Sequence, residues 1–487
     1  MGYINGEDRG QMTLDPMCLD DYIKEDSICR VISAYVERLD LKAMGFKYAE
    51  TKATGRPPFD PADMLSLYIY GYLNRVRSSR RLEAETQRNV EAMWLMGKLT
   101  PDDKTISNFR KDNAKVMKKV FREFLLWCNS QFLFGKELEV VDGTKIRANS
   151  SRRSIHTRKG TEIELAALEA KIANYMRELD ENDAAEQDEA KPSAEAVREA
   201  LKQLTEKKEK LNGWLEQIEK NGGEISTVDH DAHIMRQGGD GRCLDACYNV
   251  QVAADEKHKL IMDFEVTTCP DDKGALPIMA ESAKEVLGVS EISVAADKGY
   301  YDGDDITECE GNGTTCYVPK IGYSLAPDKK YDHSAFKYNK DTDSYVCPEG
   351  AVLSFSKLKQ HRKADGIPFY NRLYSNFAAC ASCPHKENCT KDKKGRYIYR
   401  NPAQDVLDTV DARMLTDEGR RKLKARQCVV EHPFGTIKWS WGYKYFLCRG
   451  VEKTTAEQSL AFLAYNLRRV INIFKANGWD LAGRLAC

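Results

Sequence analysis

The chain has 487 residues, of which 42% are hydrophobic and 31% charged, and its formal net charge is −1. A chain of this length predicts about two to four structural units, and the composition is that of a soluble globular protein. No uncharged apolar run of about 18 residues is present, which argues against a transmembrane helix. The first residues also lack the basic and apolar regions of a signal peptide. We therefore expect a cytoplasmic protein with no membrane partner.

The small net charge hides an uneven distribution. Residues 104–122 contain seven basic residues and one acidic, residues 145–159 contain six and none, and residues 413–426 contain six and two. Residues 161–220 balance them with sixteen acidic and nine basic residues. Clustered Lys and Arg can neutralise DNA phosphates and release counterions, although any single cluster could equally be a solvated surface. Three clusters together favour a DNA partner.

The first predicted unit, residues 1–135, is helical. Pro61 opens a helix in which Leu65, Ile69 and Leu73 recur every four residues. Thr105 is the predicted N-cap of a basic amphipathic helix that follows. A short helix, a Gly or Pro break and a basic helix suit a helix-turn-helix-like DNA binder. The candidate DNA contacts here are Lys104, Arg110 and Lys111.

The sequence becomes β-rich at 136–160, where ELEVVDGTKIRAN carries Asp142 near its middle. An insertion at 161–222 interrupts this second unit. It has two helical stripes separated by the acidic, Pro-containing stretch 181–193, which predicts an antiparallel coiled-coil hairpin. The stripes consist of Leu165, Leu168, Ile172, Met176 and Leu179, and of Val197, Leu201, Leu204, Leu211, Leu215 and Ile218.

Strands resume in residues 223–321, with β-rich runs at 247–255, 259–268, 292–300 and 314–320 and a helix at about 275–287. The buried run ISVAA in this region leads directly to Asp297. Residues 322–402, rich in Lys, Tyr and Cys, are expected to be irregular. Residues 403–487 predict two closing helices, a broken one at about 403–438 that carries Glu431 and another at 453–476.

Three carboxylates are placed by these predictions on the first strand of a mixed sheet, at the end of the fourth strand, and on a helix after the last. They are Asp142, Asp297 and Glu431. Carboxylates held together repel, so divalent cations would stabilise the group. Two Mg²⁺ or Mn²⁺ ions ~3.5–4 Å apart can activate an attacking oxygen and stabilise a leaving one in phosphodiester chemistry. An isolated Asp at a strand end is more often a cap, but a capping role does not account for all three positions.

The segments VVDGTKIRAN, AADKGYYD and VVEHPFGTIKWSWGY resemble the motifs of bacterial insertion-sequence transposases of the DDE superfamily. The stretch from GRPPFDP to KTISNFR is similar to their helical N-terminal domain, and SLAFLAYNLRRVINI to their closing helix, so the resemblance covers almost the whole chain. It implies an RNase H-like α/β core in which Asp142, Asp297 and Glu431 converge as ligands of two Mg²⁺ ions. It also implies a nucleoid-associated enzyme that acts on double-stranded DNA, both the terminal inverted repeats and the target, as a homodimer when bound.

A hairpin-forming branch of this superfamily has a Tyr-Arg-Glu-Lys signature around the Glu. Lys438 follows Glu431 at the spacing of that signature, whereas Arg426 is one residue too far away and Leu423 stands at the Tyr position. Lys438 and Arg426 could pair with phosphates beside the cut, or they could be solvated helix cations.

Further candidate DNA contacts flank the three carboxylates. Trp439 and Trp441 could stack an unpaired base next to a nuclease site, although core packing is the commoner role of tryptophan. The basic candidates are Lys145 and Arg147 after Asp142, and Lys298 after Asp297.

Four cysteines could form a structural zinc site. Cys380, Cys383 and Cys389 lie in a basic loop with Cys347 upstream, and four thiolates suit tetrahedral Zn²⁺. His385 is a substitute for the distant Cys347, and the cysteines could instead be free thiols. Similar cysteines occur in this family branch, and a metal would explain how a segment with little apolar content folds.

The sequence also allows three rival functions. The run Asp229-His230-Asp231-Ala-His233 could bind a metal and would suit a metallohydrolase. The chain could also be an RNase H-like nuclease of repair or defence, or a non-cutting DNA-binding protein derived from a transposase.

Overall fold

The computed structural model describes residues 18–50, 57–184, 194–220, 223–237, 243–320, 329–362 and 368–486, and its architecture is mixed α/β. The α-helices are α1 Ile28–Glu37, α2 Leu41–Met44, α3 Pro61–Leu73, α4 Ser79–Arg88, α5 Val90–Leu95, α6 Asp103–Asp112, α7 Ala114–Ser130, α8 Arg158–Ala184, α9 Ala194–Lys220, α10 Ala275–Leu287, α11 Gly303–Gly311, α12 Phe377–Ala381, α13 Lys386–Cys389, α14 Gln404–Met414, α15 Asp417–Phe434, α16 Val451–Ala476 and α17 Leu481–Ala486. The strands are β1 Leu138–Arg147, β2 Ile155–Thr157, β3 Glu224–Ser226, β4 His233–Gln237, β5 Cys243–Asp255, β6 Ile261–Thr267, β7 Ile292–Ala296, β8 Thr314–Tyr317, β9 Lys337–Asn339, β10 Ser344–Val346, β11 Val352–Arg362, β12 Pro368–Ser375 and β13 Tyr397–Arg400.

The N-terminal helices begin where capping side chains stand. The helix predicted from Pro61 is confirmed as α3, and the carboxylate of Asp60 accepts a hydrogen bond from the backbone of its first turn. The predicted N-cap Thr105 is wrong, because α6 begins two residues earlier. The carboxylate of Asp102 accepts the Thr105 amide at 2.6 Å, so the aspartate satisfies a free amide of the first turn and fixes the helix start.

These helices share one hydrophobic core with the sheet. Phe121 of α7 contacts Phe264 of β6 and Phe462 of α16, with ring centroids 5.6 and 6.5 Å apart. Large aromatic rings bury much apolar surface and lock neighbouring elements together. The N-terminal helices therefore form a layer against the sheet.

The central sheet is mixed, and β1 lies in its middle. β5 pairs with β1 antiparallel, and both β4 and β6 pair with β5. β7 pairs with β1 in parallel, and β8 extends this parallel half. The four strand runs predicted for 223–321 are present, and α10 occupies the predicted 275–287. The sequence missed β2, β3 and β4, which are only three to five residues long.

Side chains of β1 alternate between two apolar layers. Val141 belongs to the large core shared with the N-terminal helices and α16. Leu138 and Val140 belong to a smaller core with Val430 and its neighbours on α15. Because successive side chains of a strand point to opposite faces, Leu138 and Val140 share the face of β1 that α15 covers.

The insertion after β1 consists of two helices that pack antiparallel. Arg158 contacts Glu219 at 3.3 Å near the base, and Lys207 contacts Glu164 at 2.8 Å further along. The predicted stripe residues that are buried are Leu168, Leu211 and Ile218. The placement of Met176 in the stripe is wrong, because its side chain is 56% exposed. The side chains of Leu179 and Val197, and residues 185–193 of the predicted linker, lie outside the described residues.

Residues 329–400 were predicted to be irregular, and this is wrong. They contain a five-stranded antiparallel sheet in the order β13-β12-β11-β10-β9, called here the insertion sheet. Its core is largely aromatic and consists of Phe336, Tyr345, Leu353, Tyr374 and Ile398. The hydroxyl groups of Tyr338 and Tyr374 both donate to Asp343, at 2.7 and 2.6 Å. Tyrosines with satisfied hydroxyl groups can build a core where aliphatic residues are few, and the prediction overlooked them.

The closing helices are broken where the sequence indicated. α14 and α15 are separated at Thr416, whose side chain caps α15 by accepting the Gly419 amide. A π-helical turn, Gly435–Ser440, follows α15. α16 is buried along most of its length, including Leu460 and Leu467. None of the described helices is long and apolar enough to cross a membrane.

Candidate active site

Two of the predicted carboxylates lie side by side on neighbouring parallel strands. Val141 of β1 pairs with Ala296, the last residue of β7, so Asp142 and Asp297 are the next residues on each strand. Each accepts a hydrogen bond from the amide that follows it, at 2.9 Å for Asp142 and 2.8 Å for Asp297. The parallel register therefore brings together side chains that are 155 positions apart in the chain.

The guanidinium of Arg426, on α15, lies between these two carboxylates. Its Nη1 is 3.4 Å from Asp142 Oδ2, and its Nη2 is 3.8 Å from Asp297 Oδ1. The Arg426 side chain is 13% exposed, against 25% for Asp142 and 48% for Asp297. Its buried Nε has no hydrogen-bond partner among the described residues. The sequence predicted that Arg426 pairs with a phosphate. In the structure its guanidinium is instead shared by the carboxylates of Asp142 and Asp297.

Burial sets the ionisation of Asp142. It raises the pKa of the Asp142 carboxyl to about 6, and the nearby charges of Asp297 and Asp272 act in the same direction. Arg426 and the Gly143 amide lower this pKa. Because a nearby cation stabilises the charged form of a carboxyl group, the pKa of Asp142 depends on the positive charge beside it.

A further carboxylate, Asp272, supports this arrangement from the loop before α10. Its Oδ1 accepts hydrogen bonds from Gln251 at 2.8 Å, Asn249 at 3.0 Å and the Lys145 ammonium at 3.4 Å. The Tyr300 hydroxyl, in the turn after β7, donates to Gln251 Oε1. These contacts tie β1, β5 and the turn together. Sequence reasoning missed Asp272; the available signal was the pair of amide side chains within the otherwise apolar β5.

The third predicted carboxylate does not join the other two in a group arranged for metal binding. Glu431 is exposed on α15, one residue after the buried Val430. Within the described ranges, no group of three or more His, Cys, Asp or Glu side chains is positioned to hold a metal ion. α15 thus delivers Arg426 to the two aspartates.

Comparison with known families identifies both ends of the chain. A family model described as a transposase DDE domain matches residues 346–471, and one described as a transposase domain matches residues 17–112. Together the two matches support a DDE transposase. Comparisons with curated proteins and with solved structures give no match.

The matched ranges cover part of the site. The DDE match contains Glu431, Arg426 and Lys438, whereas Asp142 and Asp297 lie outside both matched ranges. Transposases act in DNA transposition, so DNA is the substrate class of this family, and DDE transposases typically use divalent metal ions.

The π-helical turn places Lys438 against β1, leaves Trp439 exposed and packs Trp441 against the core. The Lys438 ammonium donates to Thr144 Oγ1 and to the Lys145 carbonyl, both at 2.9 Å, and burial lowers its pKa. Trp439 is 71% exposed, and the Lys444 ammonium lies 4.0 Å from its ring centroid. Trp441 packs against other aromatic rings of the core. Of the two, only Trp439 offers an open face to a base.

The other basic candidates are either exposed or held by contacts within the chain. Those that are exposed are Lys104, Lys111, Arg147 and Lys298. Arg110 was predicted to be a surface contact, but its guanidinium lies 5.7 Å from the Tyr68 ring centroid and has a buried Nη1. The Lys145 ammonium is occupied by Asp272 and the Pro270 carbonyl. Neither Arg110 nor Lys145 is free to meet a phosphate in this arrangement.

The four cysteines of the insertion line one cavity. Cys347, Cys380, Cys383 and Cys389 surround a space of about 340 Å³, together with His385. Burial raises the pKa of the Cys389 thiol, and the other three cysteines act in the same direction. Their arrangement does not meet the geometry of a metal site in the described structure, so zinc has no support beyond this shared cavity.

The Asp229–His233 run has a structural role. The buried Asp229 accepts the Tyr248 hydroxyl at 2.7 Å and the Gly450 amide at 3.0 Å, and Asp231 accepts the Val451 amide at 2.8 Å. Both carboxylates thus satisfy the amino end of α16, where negative charge is favoured. The two aspartates that the metallohydrolase hypothesis needs as ligands are therefore occupied by this helix, and His233 Nδ1 lies 3.0 Å from Glu224 Oε1.

Proposed function

We propose that the transposase cuts DNA at transposon ends and joins the freed 3′ ends to target DNA, with divalent ions held by Asp142, Asp297 and Glu431. The observation that carries this proposal is the pair of adjacent aspartates around a single cation, the Arg426 guanidinium. Oxygen ligands of this kind suit Mg²⁺ or Mn²⁺. When bound, such ions would activate the attacking oxygen and stabilise the leaving one.

The topology supports an RNase H-like core. The antiparallel strands β6, β5 and β1 are followed in the sheet by the parallel β7 and β8, with β1 central. In this arrangement Asp142 and Asp297 lie on adjacent strands and α15 covers the same edge. We propose that Glu431 joins them when the metal and DNA bind.

Arg426 has two roles in this proposal. Without metal it neutralises Asp142 and Asp297, whose mutual repulsion would otherwise be costly. With divalent ions held by the two carboxylates, the Arg426 guanidinium would be free to pair with a phosphate beside the cut, where its planar donors suit two oxygens.

A hairpin intermediate is the finer form of the mechanism. The exposed ring of Trp439 could stack a flipped base, and Lys438 could fix the neighbouring backbone. The Lys438 ammonium also donates to Thr144 on β1, which positions the π-helical turn near Asp142.

A structural zinc ion bound by Cys347, Cys380, Cys383 and Cys389 is a separate proposal. It is supported by the shared cavity and by the preference of Zn²⁺ for thiolates. Elemental analysis of protein purified without added metal should give about one zinc per chain, and Cys380→Ser with Cys383→Ser should lose it. A metal-free wild-type protein in which these four thiols react with a thiol reagent would contradict the proposal.

A dimer is proposed for the DNA-bound state, because two transposon ends must be held together. The α8–α9 helix pair, proposed as a coiled coil, is the candidate contact, although it could equally brace its own chain. Light scattering with and without end DNA tests the dimer, and deletion of 161–222 tests the contact.

The central experiment is a cleavage and joining assay on DNA that carries the ends of the element, with Mg²⁺ or Mn²⁺. Asp142→Ala, Asp297→Ala and Glu431→Ala should each abolish both reactions while DNA binding persists. Asp417→Ala is the matched control, since Asp417 is a 94% exposed carboxylate on the same helix as Glu431. Full activity of the three variants would overturn the assignment.

The same assay separates the rival functions. Cleavage without sequence preference and without joining would favour a nuclease of repair or defence. Specific binding of the ends by wild-type protein with no cleavage under any metal would favour a non-cutting DNA-binding protein.

A further inference from the structure

Part of the insertion sheet projects as a two-stranded ribbon. β11 pairs with β12 as far as Arg362 and Pro368, but β10 pairs with β11 only at 352–354, and β13 pairs with β12 only at 372–375. Residues 359–362 and 368–371 therefore pair only with each other among the described residues, whereas Lys357 and Leu358 pair with Leu373 and Arg372 at the base. Residues 357–362 and 368–371 together are called here the ribbon. Four residues at ~3.3 Å each carry the two-stranded part of the ribbon ~13 Å beyond the sheet.

The ribbon is exposed and positively charged. Lys357, Lys359 and Arg362 are exposed, and none of them forms an ion pair within the described residues. No Asp or Glu occurs in the ribbon. Leu358 is 59% exposed and Tyr370 48% exposed. Exposed apolar side chains that are flanked by cations without an acidic partner are typical of an interaction surface.

The fold of the insertion sheet accounts for one of these side chains, Lys359, whose ammonium lies 5.7 Å from the ring centroid of Tyr399 on β13, and it gives the others no structural role among the described residues. Its core, around Tyr345 and Tyr374, lies at the base of the ribbon and includes no ribbon residue. Arg372, at the base, is neutralised by Asp343, whereas Lys357, Lys359 and Arg362 have no acidic partner among the described residues. The charge distribution therefore favours an anionic partner for the ribbon.

We propose that the ribbon binds duplex DNA, with Lys357, Lys359 and Arg362 on phosphates and the strands in the major groove. That groove, ~12 Å wide, admits a two-stranded ribbon. Clustered cations without acids match the regular negative charge of DNA, which an apolar protein surface would not.

The sheet is also connected to the catalytic helix. Arg400 of β13 forms ion pairs with Asp405 and with Asp408, the latter at 3.2 Å, and both acids belong to α14. α14 leads directly into α15, which carries Arg426. The inference rests on the proposed function, since the DNA on the ribbon would be continuous with the DNA cut at Asp142.

The test uses the full chain with Lys357→Ala, Lys359→Ala and Arg362→Ala combined. The matched control replaces Lys337, Lys340 and Lys391, which are exposed cations of the same region outside the ribbon. Binding of labelled end DNA and of an unrelated duplex is measured in EDTA across a salt series, so that no cleavage occurs. Unchanged circular dichroism is expected for both variants, because all six side chains are exposed.

Three phosphate contacts predict that the slope of log affinity against log salt falls by about 2.7 in the ribbon variant, with at least a roughly tenfold loss of affinity. The control should change less than half as much. Tyr370→Ala should leave the slope unchanged but remove protection of guanine N7 against methylation. A ribbon variant with wild-type affinity and slope would overturn the inference.

Two outcomes distinguish this inference from a failure of the proposed function and from a protein-binding role of the ribbon. If wild-type protein binds no duplex at all, the proposed function fails as well. If the variant binds DNA normally but changes its self-association in light scattering without DNA, the ribbon contacts protein, and the DNA inference is overturned while the proposed function stands.

Discussion

Replacing Arg426 by alanine removes the cation that Asp142 and Asp297 share. Because the Arg426 side chain is 13% exposed and Asp142 is 25% exposed, their contact is neither a surface pair nor a fully buried one. Exposed pairs contribute ~0–1 kcal/mol, and breaking buried ones costs ~3–5 kcal/mol. We expect Arg426→Ala to lower the free energy of unfolding of the metal-free protein by about 1–3 kcal/mol.

Added Mg²⁺ should reverse this loss. In wild-type protein a divalent ion must displace the guanidinium, whereas in Arg426→Ala it meets two uncompensated carboxylates. The stabilisation by a bound ion grows with its affinity, so the Mg²⁺-induced increase in stability should be larger in the variant by a similar ~1–3 kcal/mol. Thermal and urea denaturation, each with EDTA or with saturating Mg²⁺, measure both quantities without any DNA cleavage.

Arg420→Ala is the control for this experiment. Arg420 lies on the same helix, is 68% exposed and pairs only with the exposed Asp417, at 3.6 Å, among the described acidic side chains. It should change stability by about 0.5 kcal/mol or less and leave the Mg²⁺ response as in the wild type. Equal Mg²⁺ responses of wild type and Arg426→Ala would refute the idea that Arg426 stands in for the metal ion.

Three further predictions concern single side chains of the site. Since the folded-state pKa of Asp142 is about 6, above its ordinary 3.8, wild-type protein should lose stability as pH rises between these values, and Asp142→Asn should abolish that loss in urea denaturation. Trp439→Ala should impair hairpin formation without lowering the melting temperature, whereas Trp441→Ala should lower it, because only Trp441 packs in the core. Gly143→Ala should destabilise the fold by about 1–3 kcal/mol, because its Cβ would lie 2.6 Å from Gln251 Nε2.

Periodicity predicted the helices and strands of the main sheet well but missed the insertion sheet. The helix at 275–287 and the strands on either side follow from runs of aliphatic residues with clear ends at glycine or polar residues. The insertion sheet escaped because its core depends on Tyr345 and Tyr374, whose hydroxyl groups are satisfied in the folded chain by Arg400 and Asp343 respectively. Tyrosine occurs both on surfaces and in cores, so only the packed sheet decides which it is.

The sequence by itself indicated the family, the strand that carries Asp142, the strand that precedes Asp297 and the helix that carries Arg426 and Glu431. These depend on local order along the chain, which periodicity and motif spacing record. Only the tertiary structure decided which side chains meet. The parallel register of β1 and β7 sets Asp142 beside Asp297, the packing of α15 on β1 delivers Arg426 to both, and Asp272 arrives from a loop that no motif marks. Contacts between residues far apart in sequence are fixed by strand register and helix packing, which a one-dimensional pattern does not contain.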